Sequence, residues 1–179
     1  MKNSKKVLVL FLFIFGFSIN LFANSQKDFR KNHSFENSSA SEVFLMPDDG
    51  NYLKEKLRYE ILSSRETIFL AMYNFSYKSI AKDLIKASKQ GVKITILLDK
   101  EKVEDDSEIY DMLKDANIDV RTVDDRKMHL KMMLFDKKLA MIGSLNFTKK
   151  SFEENFDFVY FSKDYKLLEK LKEFVAKFE

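Results

Sequence analysis

Two histidines stand in this 179-residue chain, and one of them, His129, is embedded in apolar sequence. It lies in the run MHLKMMLF, where strand alternation places His129 and Lys131 on one side and Leu130, Met132 and Leu134 on the other. An imidazole and an ammonium held side by side are unfavourable unless something anionic lies over them, and a phosphate is the natural guest. Asp136 follows in an Asp-Lys-Lys turn. The next apolar run ends in GSLN, where Gly143 permits close backbone approach and Ser144 and Asn146 share parity. Hydroxyl, amide and ammonium groups could together cradle phosphate oxygens. The same residue types also fit a satisfied buried His–Lys pair beside an ordinary hairpin turn. His33 stands among polar residues that nothing holds in place, and reads as a solvated bystander.

The elements that must position these residues alternate in period. Residues 42–46 read as a short strand, 51–63 as a helix through Leu53, Leu57 and Ile61, and 67–75 as an apolar strand. A helix over 78–89 closed by Gly91, a strand over 92–98, a charged helix over 104–115 and a strand over 118–123 continue the alternation. Two apolar runs, 128–135 and 139–143, form a hairpin added to that sheet, followed by a loop over 146–154, a strand over 156–161 and a closing helix over 164–178. Leu167, Leu168, Leu171, Phe174 and Val175 fall at helical spacing and make a core-facing stripe on that last helix. The fold class is α/β, with a mixed, largely parallel sheet flanked by helices in one domain over residues 42–179.

Ahead of that domain, residues 1–23 carry three lysines, an apolar run and a small residue at the end, the pattern of a secretory signal peptide. An uncleaved membrane anchor is the alternative, at the short limit of what spans a bilayer. Residues 24–41 are polar and form a linker. Export implies a periplasmic or secreted protein. With the three leader lysines set aside, 28 basic residues face 28 acidic ones, so no global basic field draws in a polyanion and attraction must be local. The absence of cysteine excludes disulfides, thiolate catalysis and Cys-ligated zinc.

The spacing His129, Lys131, Asp136, Gly143, Ser144, Asn146 is H-x-K-x4-D-x6-G-S-x-N, and it resembles the HKD signature of the phospholipase D superfamily. The stretches FLMPDDG, AMYNFS, KQGVKITILLD and FEENFDFV resemble the small, single-motif bacterial endonucleases of that family. Small eukaryotic members include proteins discussed as cardiolipin hydrolases or nucleases. The resemblance implies a phospholipase D-like fold with His129 as nucleophile, Lys131 and Asn146 as phosphate ligands, Ser144 as a hydroxyl at the site, with Gly143 beside it, and Asp136 as a mainly structural acid. Glu154, followed by Asn155, matches the acid that holds the histidine ring, with Glu153 as the neighbouring alternative.

In-line displacement at a phosphate diester needs a neutral nucleophile on one side of phosphorus and a proton donor on the other. One histidine cannot be both, so a homodimer with a shared site, two copies of His129 flanking the phosphate, is expected. No cofactor is called for. The acidic pairs Asp48/Asp49, Asp105/Asp106 and Asp124/Asp125 could in principle hold magnesium but read as caps and turns, and lysine replaces the metal's charge. The first functional expectation is an endonuclease acting on DNA, with RNA as a further substrate, drawn by Arg126, Lys127, Lys131, Lys137, Lys138, Lys149 and Lys150. The rival is a phospholipase D acting on phospholipid head groups. A catalytically silent envelope-binding domain is a third reading, against which the intact motif argues.

Overall fold

The structure, a computed structural model, describes residues 41–178. The leader expected over residues 1–23, the linker up to residue 40 and His33 lie outside the described residues. One sheet contains β1 (Ser41–Leu45), β2 (Thr67–Met72), β3 (Lys93–Asp99), β4 (Asp119–Val123), β5 (Lys131–Phe135), β6 (Leu139–Gly143) and β7 (Phe158–Ser162), in the order β1-β7-β6-β5-β2-β3-β4. The helices are α1 (Gly50–Ser63), α2 (Lys78–Lys89), α3 (Lys100–Asp105), α4 (Glu108–Asp115), α5 (Lys149–Glu153) and α6 (Tyr165–Val175). β2, β3 and β4 pair in parallel, and the other neighbouring pairs are antiparallel. β1 and β6 run in the same direction as β2, β3 and β4, so the largely parallel sheet holds for strand direction. Parallel pairing is confined to one half, because the β5–β6 hairpin inserts between β2 and β7.

The central strands β2 and β5 are buried on both faces, which is why they read as nearly continuous apolar runs. Leu70, Met72, Met133 and Phe135 join the core under α1, α2 and α4, while Phe69, Ala71, Met132 and Leu134 join the core under α6. Each fully buried large apolar side chain contributes about 1.5–3 kcal/mol. A slip of β5 by one residue would exchange these sets and turn Lys131 to the other face, so packing fixes the register that carries the motif. The stripe on α6 packs as expected, and Asp164 caps that helix by accepting from the Leu167 N–H at 2.8 Å.

Five elements differ from the sequence expectation: the loop over 146–154 holds the short helix α5, capped by the Thr148 hydroxyl accepting from the Ser151 N–H, β7 starts at Phe158 instead of residue 156, and three further differences follow. The helix expected over 104–115 is two helices, α3 and α4. The Asp106 carboxylate accepts from the Glu108 N–H and the Ser107 hydroxyl donates to Asp111, local bonds that stop one helix and start the next. β2 ends at Met72 because the following residues leave the ladder for the 146–147 loop: Asn74 accepts from the Phe147 N–H, and Ser76 and Tyr77 donate to the Phe147 carbonyl. β5 starts at Lys131, so residues 128–130, with His129 among them, precede the strand.

Candidate active site

Two anchors hold the backbone on either side of His129. The Met128 N–H donates to the buried Asp99 carboxylate at 3.0 Å, and the Leu130 carbonyl accepts from the Tyr73 N–H at 3.0 Å. A third bond runs from the Lys131 ammonium to the His129 carbonyl at 2.9 Å. The imidazole lies against the Tyr73 ring with centroids 4.6 Å apart. His129 is exposed and Lys131 is 7% exposed, so the imidazole is reachable while the ammonium beside it is largely dry. His129 therefore owes its rigidity to bonds from β2 and β3 rather than to a strand of its own.

The electrostatics suit a neutral nucleophile. Loss of hydration, then the positive charges of Lys131 and Lys127, hold the His129 imidazole below its ordinary value of 6.5, with Asp99 pulling weakly the other way. The shift favours the free base, the form that attacks phosphorus. Burial pushes the Lys131 ammonium down from its ordinary value; Asp157 opposes this and Lys127 adds to it. The ammonium groups of Lys131, Lys127 and Lys102 stand 4.9, 5.1 and 5.9 Å from the Tyr73 ring centre; Lys131 and Lys127 act on the histidine, whereas Lys102 pairs with Asp105.

The remaining motif residues divide by role. Asn146 is brought to the same end of the sheet: its side-chain oxygen accepts from the Asn74 N–H at 3.3 Å, an arrangement that leaves its NH2 group to donate. Ser144 commits its proton to Asp157, at 2.6 Å, and accepts from the Phe158 N–H at 3.1 Å, so it braces β7 instead of offering its hydroxyl to a phosphate. Gly143 allows close approach, but to the neighbouring strand: a Cβ there would lie 2.2 Å from the Phe158 carbonyl oxygen. The close approach seen at Gly143 is a packing contact between strands.

Asp136 sits at the opposite end of β5, in the three-residue hairpin connection 136–138, where it and Lys137 have φ of 48° and 56°. Burial alone would raise its carboxyl; the backbone N–H groups of Glu66, Thr67 and Arg65 outweigh this and hold it below its ordinary 3.8. It is the structural acid the motif implies, pinning the start of β2 to the hairpin. The unfolded carboxyl has the higher pKa, so this stabilisation is full above the ordinary carboxyl range and lost as pH falls through the depressed folded value. Asp136→Asn is expected to lower unfolding stability by about 2–3 kcal/mol, read as the shift of the urea midpoint at pH 7. A shift of only a few tenths would show that the three donors find water equally well.

Glu154 is not brought to the histidine. It is exposed at the end of α5, where its N–H closes the last turn on the Lys150 carbonyl. Glu153 pairs with Lys54 at 3.0 Å and Lys149 at 3.7 Å. The acid that enters the site is Asp157, half-buried, bonded to Ser144 and electrostatically coupled to Lys131. Asp157 is not among the candidates that the motif spacing singles out. Its signal was parity: Asp157, Val159 and Phe161 point to one face, and an acid in register with two core residues breaks the pattern for a reason.

The cationic patch is also regrouped. Lys137 and Lys138 stand at the hairpin turn, about 14 Å along β5 from Lys131 at strand rise, and Lys138 pairs with Glu66 at 3.0 Å. Arg126 pairs with Asp125 at 2.8 Å. The acidic pairs behave as caps and ion pairs: Asp49 accepts from the Leu45 N–H, Asp105 pairs with Lys102 and Asp124 with Lys100. Among the described residues no three His, Asp or Glu side chains are grouped to hold a metal ion.

Residues 57–178 match the family described as "Cardiolipin synthase, PLD-like domain". Phospholipase D of Rickettsia prowazekii is 29% identical, the match covering 94% of this chain and 90% of that protein. Among solved structures, NucT from Helicobacter pylori superposes with a TM-score of 0.70 at 24% identity, covering 76% of this chain and 93% of that one. The phospholipase D family member Nuc from Salmonella typhimurium gives 0.68 at 25% identity, covering 76% and 91%. With the motif residues His129, Lys131 and Asn146 gathered at one end of the matched domain, the chain belongs to the phospholipase D superfamily and is a phosphodiesterase hydrolase.

Proposed function

We propose that the protein hydrolyses phosphate diesters without a metal, through a phosphohistidine formed on His129 in a site shared by two copies of the chain. The observation that carries this reading is the exposed, backbone-anchored imidazole beside a buried ammonium. With one proton shared by the pair, a ring nitrogen of the free-base His129 attacks phosphorus while the leaving alkoxide takes a proton from the partner subunit's His129, which reacts as the imidazolium. Water then attacks phosphorus, giving its proton back to that second imidazole, and the P–N bond breaks. Lys131 and the NH2 of Asn146 stabilise the charge on the non-bridging oxygens.

The two substrate classes expected from sequence have the same reacting group. Nucleic acid leaned on a continuous basic patch, of which Lys127 and Lys131 stand beside the histidine. That pair supports recognition of one phosphate more than of a long polyanion, and favours the phospholipid reading; the name of the Rickettsia relative supports it too. DNA and RNA stay the second reading. The leader pattern of residues 1–23 supports export to the periplasm or beyond. Among the described residues no helix is long and apolar enough to cross a membrane.

The test uses bis(4-nitrophenyl) phosphate, which needs neither a lipid nor a nucleic-acid subsite. Hydrolysis is expected to persist in EDTA; loss in EDTA with recovery on adding magnesium would overturn the mechanism. After random subunit exchange with His129→Ala, activity is expected to follow the square of the wild-type fraction, so that roughly a quarter remains at equal mixing. A linear dependence, with about half remaining, would mean that each chain completes its own site.

A further inference from the structure

Asp99 breaks two local rules at one position. It ends β3 and stands at the N-cap of α3 in extended backbone, where an aspartate ordinarily accepts from an N–H of the helix that follows. It makes no such bond. The residue is 3% exposed, and its Oδ2 atom reaches across to the Met128 N–H at 3.0 Å. Oδ1 is buried with no hydrogen-bond donor among the described residues. A buried carboxylate that leaves its helix uncapped and one oxygen unpaired is destabilising, and such departures gather where a side chain serves the reaction.

Its position shows what it serves. Met128 precedes His129, so this bond ties one side of the reacting residue to the end of β3, while the Tyr73 N–H holds the other side through the Leu130 carbonyl. The carboxylate also brings a charge. The groups that face His129 are the Tyr73 ring after β2, Lys131 at the start of β5 and Lys127 in the segment before it, with Lys102 of α3 standing 5.9 Å from the centre of that ring. Lys131 and Lys127 act on the imidazole as cations, and the acid that acts on it is Asp99. Asp157 engages Ser144 and Lys131 instead.

In the phosphohistidine sequence both imidazoles of the pair pass through the cationic form. The nucleophile does so when its nitrogen bonds phosphorus, and the partner subunit's His129 does so while it holds the proton for the leaving alkoxide. Two lysines oppose each of these cations. A negative charge fixed in a dry place is little screened by water or salt, so it offsets them without having to reorganise.

We propose that Asp99 is a positioning residue for His129, which fixes the backbone of the nucleophile through Met128 and serves as the buried counter-charge of the imidazolium. It touches neither the substrate nor the reacting atoms. The inference rests on the phosphohistidine reading for its effect on rate, while its effect on the imidazole is measurable without turnover.

The experiment separates the anchor from the charge. Asp99→Asn keeps an oxygen that accepts from the Met128 N–H and deletes the charge. Asp99→Ser does the same with a smaller side chain and is the second neutral variant if the buried amide unfolds the protein; Asp99→Ala deletes both. Ring signals of the full protein are followed by NMR against pH and assigned with His33→Gln. In the neutral variants the His129 titration is expected to move to lower pH than in wild type, because an imidazolium without its counter-charge releases its proton more readily. The pH–rate profile for bis(4-nitrophenyl) phosphate should shift the same way, and kcat should fall on the order of tenfold. Asp99→Ala should lose more, since the anchor goes too. A titration and profile unchanged in Asp99→Asn and Asp99→Ser, with loss only in Asp99→Ala, would leave Asp99 a backbone anchor and overturn the inference. So would a titration that moves with Asp157→Asn and not with Asp99→Asn. If the titration moves as expected in a protein that leaves bis(4-nitrophenyl) phosphate intact, the phosphodiesterase reading fails and the counter-charge stands.

Discussion

His129→Asn is expected to reduce turnover of any diester substrate by on the order of 10^5-fold or more, because in a homodimer the substitution removes the nucleophile and its general acid together. Folding should survive. The ring is exposed, and the bonds that hold this segment are made by the backbone of residues 128–130 and by the Lys131 ammonium, none of which the substitution deletes. An unfolding midpoint within about 0.5 kcal/mol of wild type combined with lost activity would separate a chemical role from a structural one. Hydrolysis unchanged in the folded variant would remove the central claim. The wild-type pH profile adds a second reading of the same residue. Because the free base attacks and the folded pKa lies below 6.5, the acid limb of kcat/KM should fall at lower pH than an ordinary imidazole would give.

The second large effect is expected at Lys131. Lys131→Met keeps the hydrocarbon stem in its buried place and deletes the ammonium. By strand parity the stem lies on the α1–α2 face, and in the proposed mechanism the ammonium meets the phosphate, so kcat should drop by roughly 100- to 1,000-fold. The His129 carbonyl loses its donor and Asp157 loses a neighbouring positive charge, which should cost about 1–2 kcal/mol of stability. A spectroscopic signature distinguishes this from mere loosening. Partial burial would still lower the imidazole pKa, but the nearest positive charge would be gone, so the His129 titration followed by NMR should move up toward 6.5. A titration unmoved by Lys131→Met would show that the two groups are not coupled as the geometry requires.

The reading of the chain from its pattern alone succeeded where information is local. The helix over 78–89 and the strand over 139–143 appear with those bounds, because helical and strand periods are written in residues two to four apart. The hairpin turn at Asp136 was legible for the same reason. The failures share one cause: they depend on which distant segment lies alongside. β2 ends at Met72 rather than Phe75 because the 146–147 loop competes for its backbone. Seven basic residues, near in sequence or separated by a turn, read as one patch until strand length placed Lys137 and Lys138 at the far end of the sheet.

The site divides along the same line. The motif spacing alone picked out His129, Lys131 and Asn146 as candidates and identified the family, since it reports one strand, one turn and the strand that returns. Folding was needed to show that Asp157, rather than Glu154, faces Lys131 and Ser144, because that depends on how β7 registers against β6. It also decided that Gly143 and Ser144 serve strand contact, and that Asp99 turns from its own helix to the backbone beside His129. These are relations between elements brought together by burial of two apolar faces, and no local period along the chain encodes which side chains then meet.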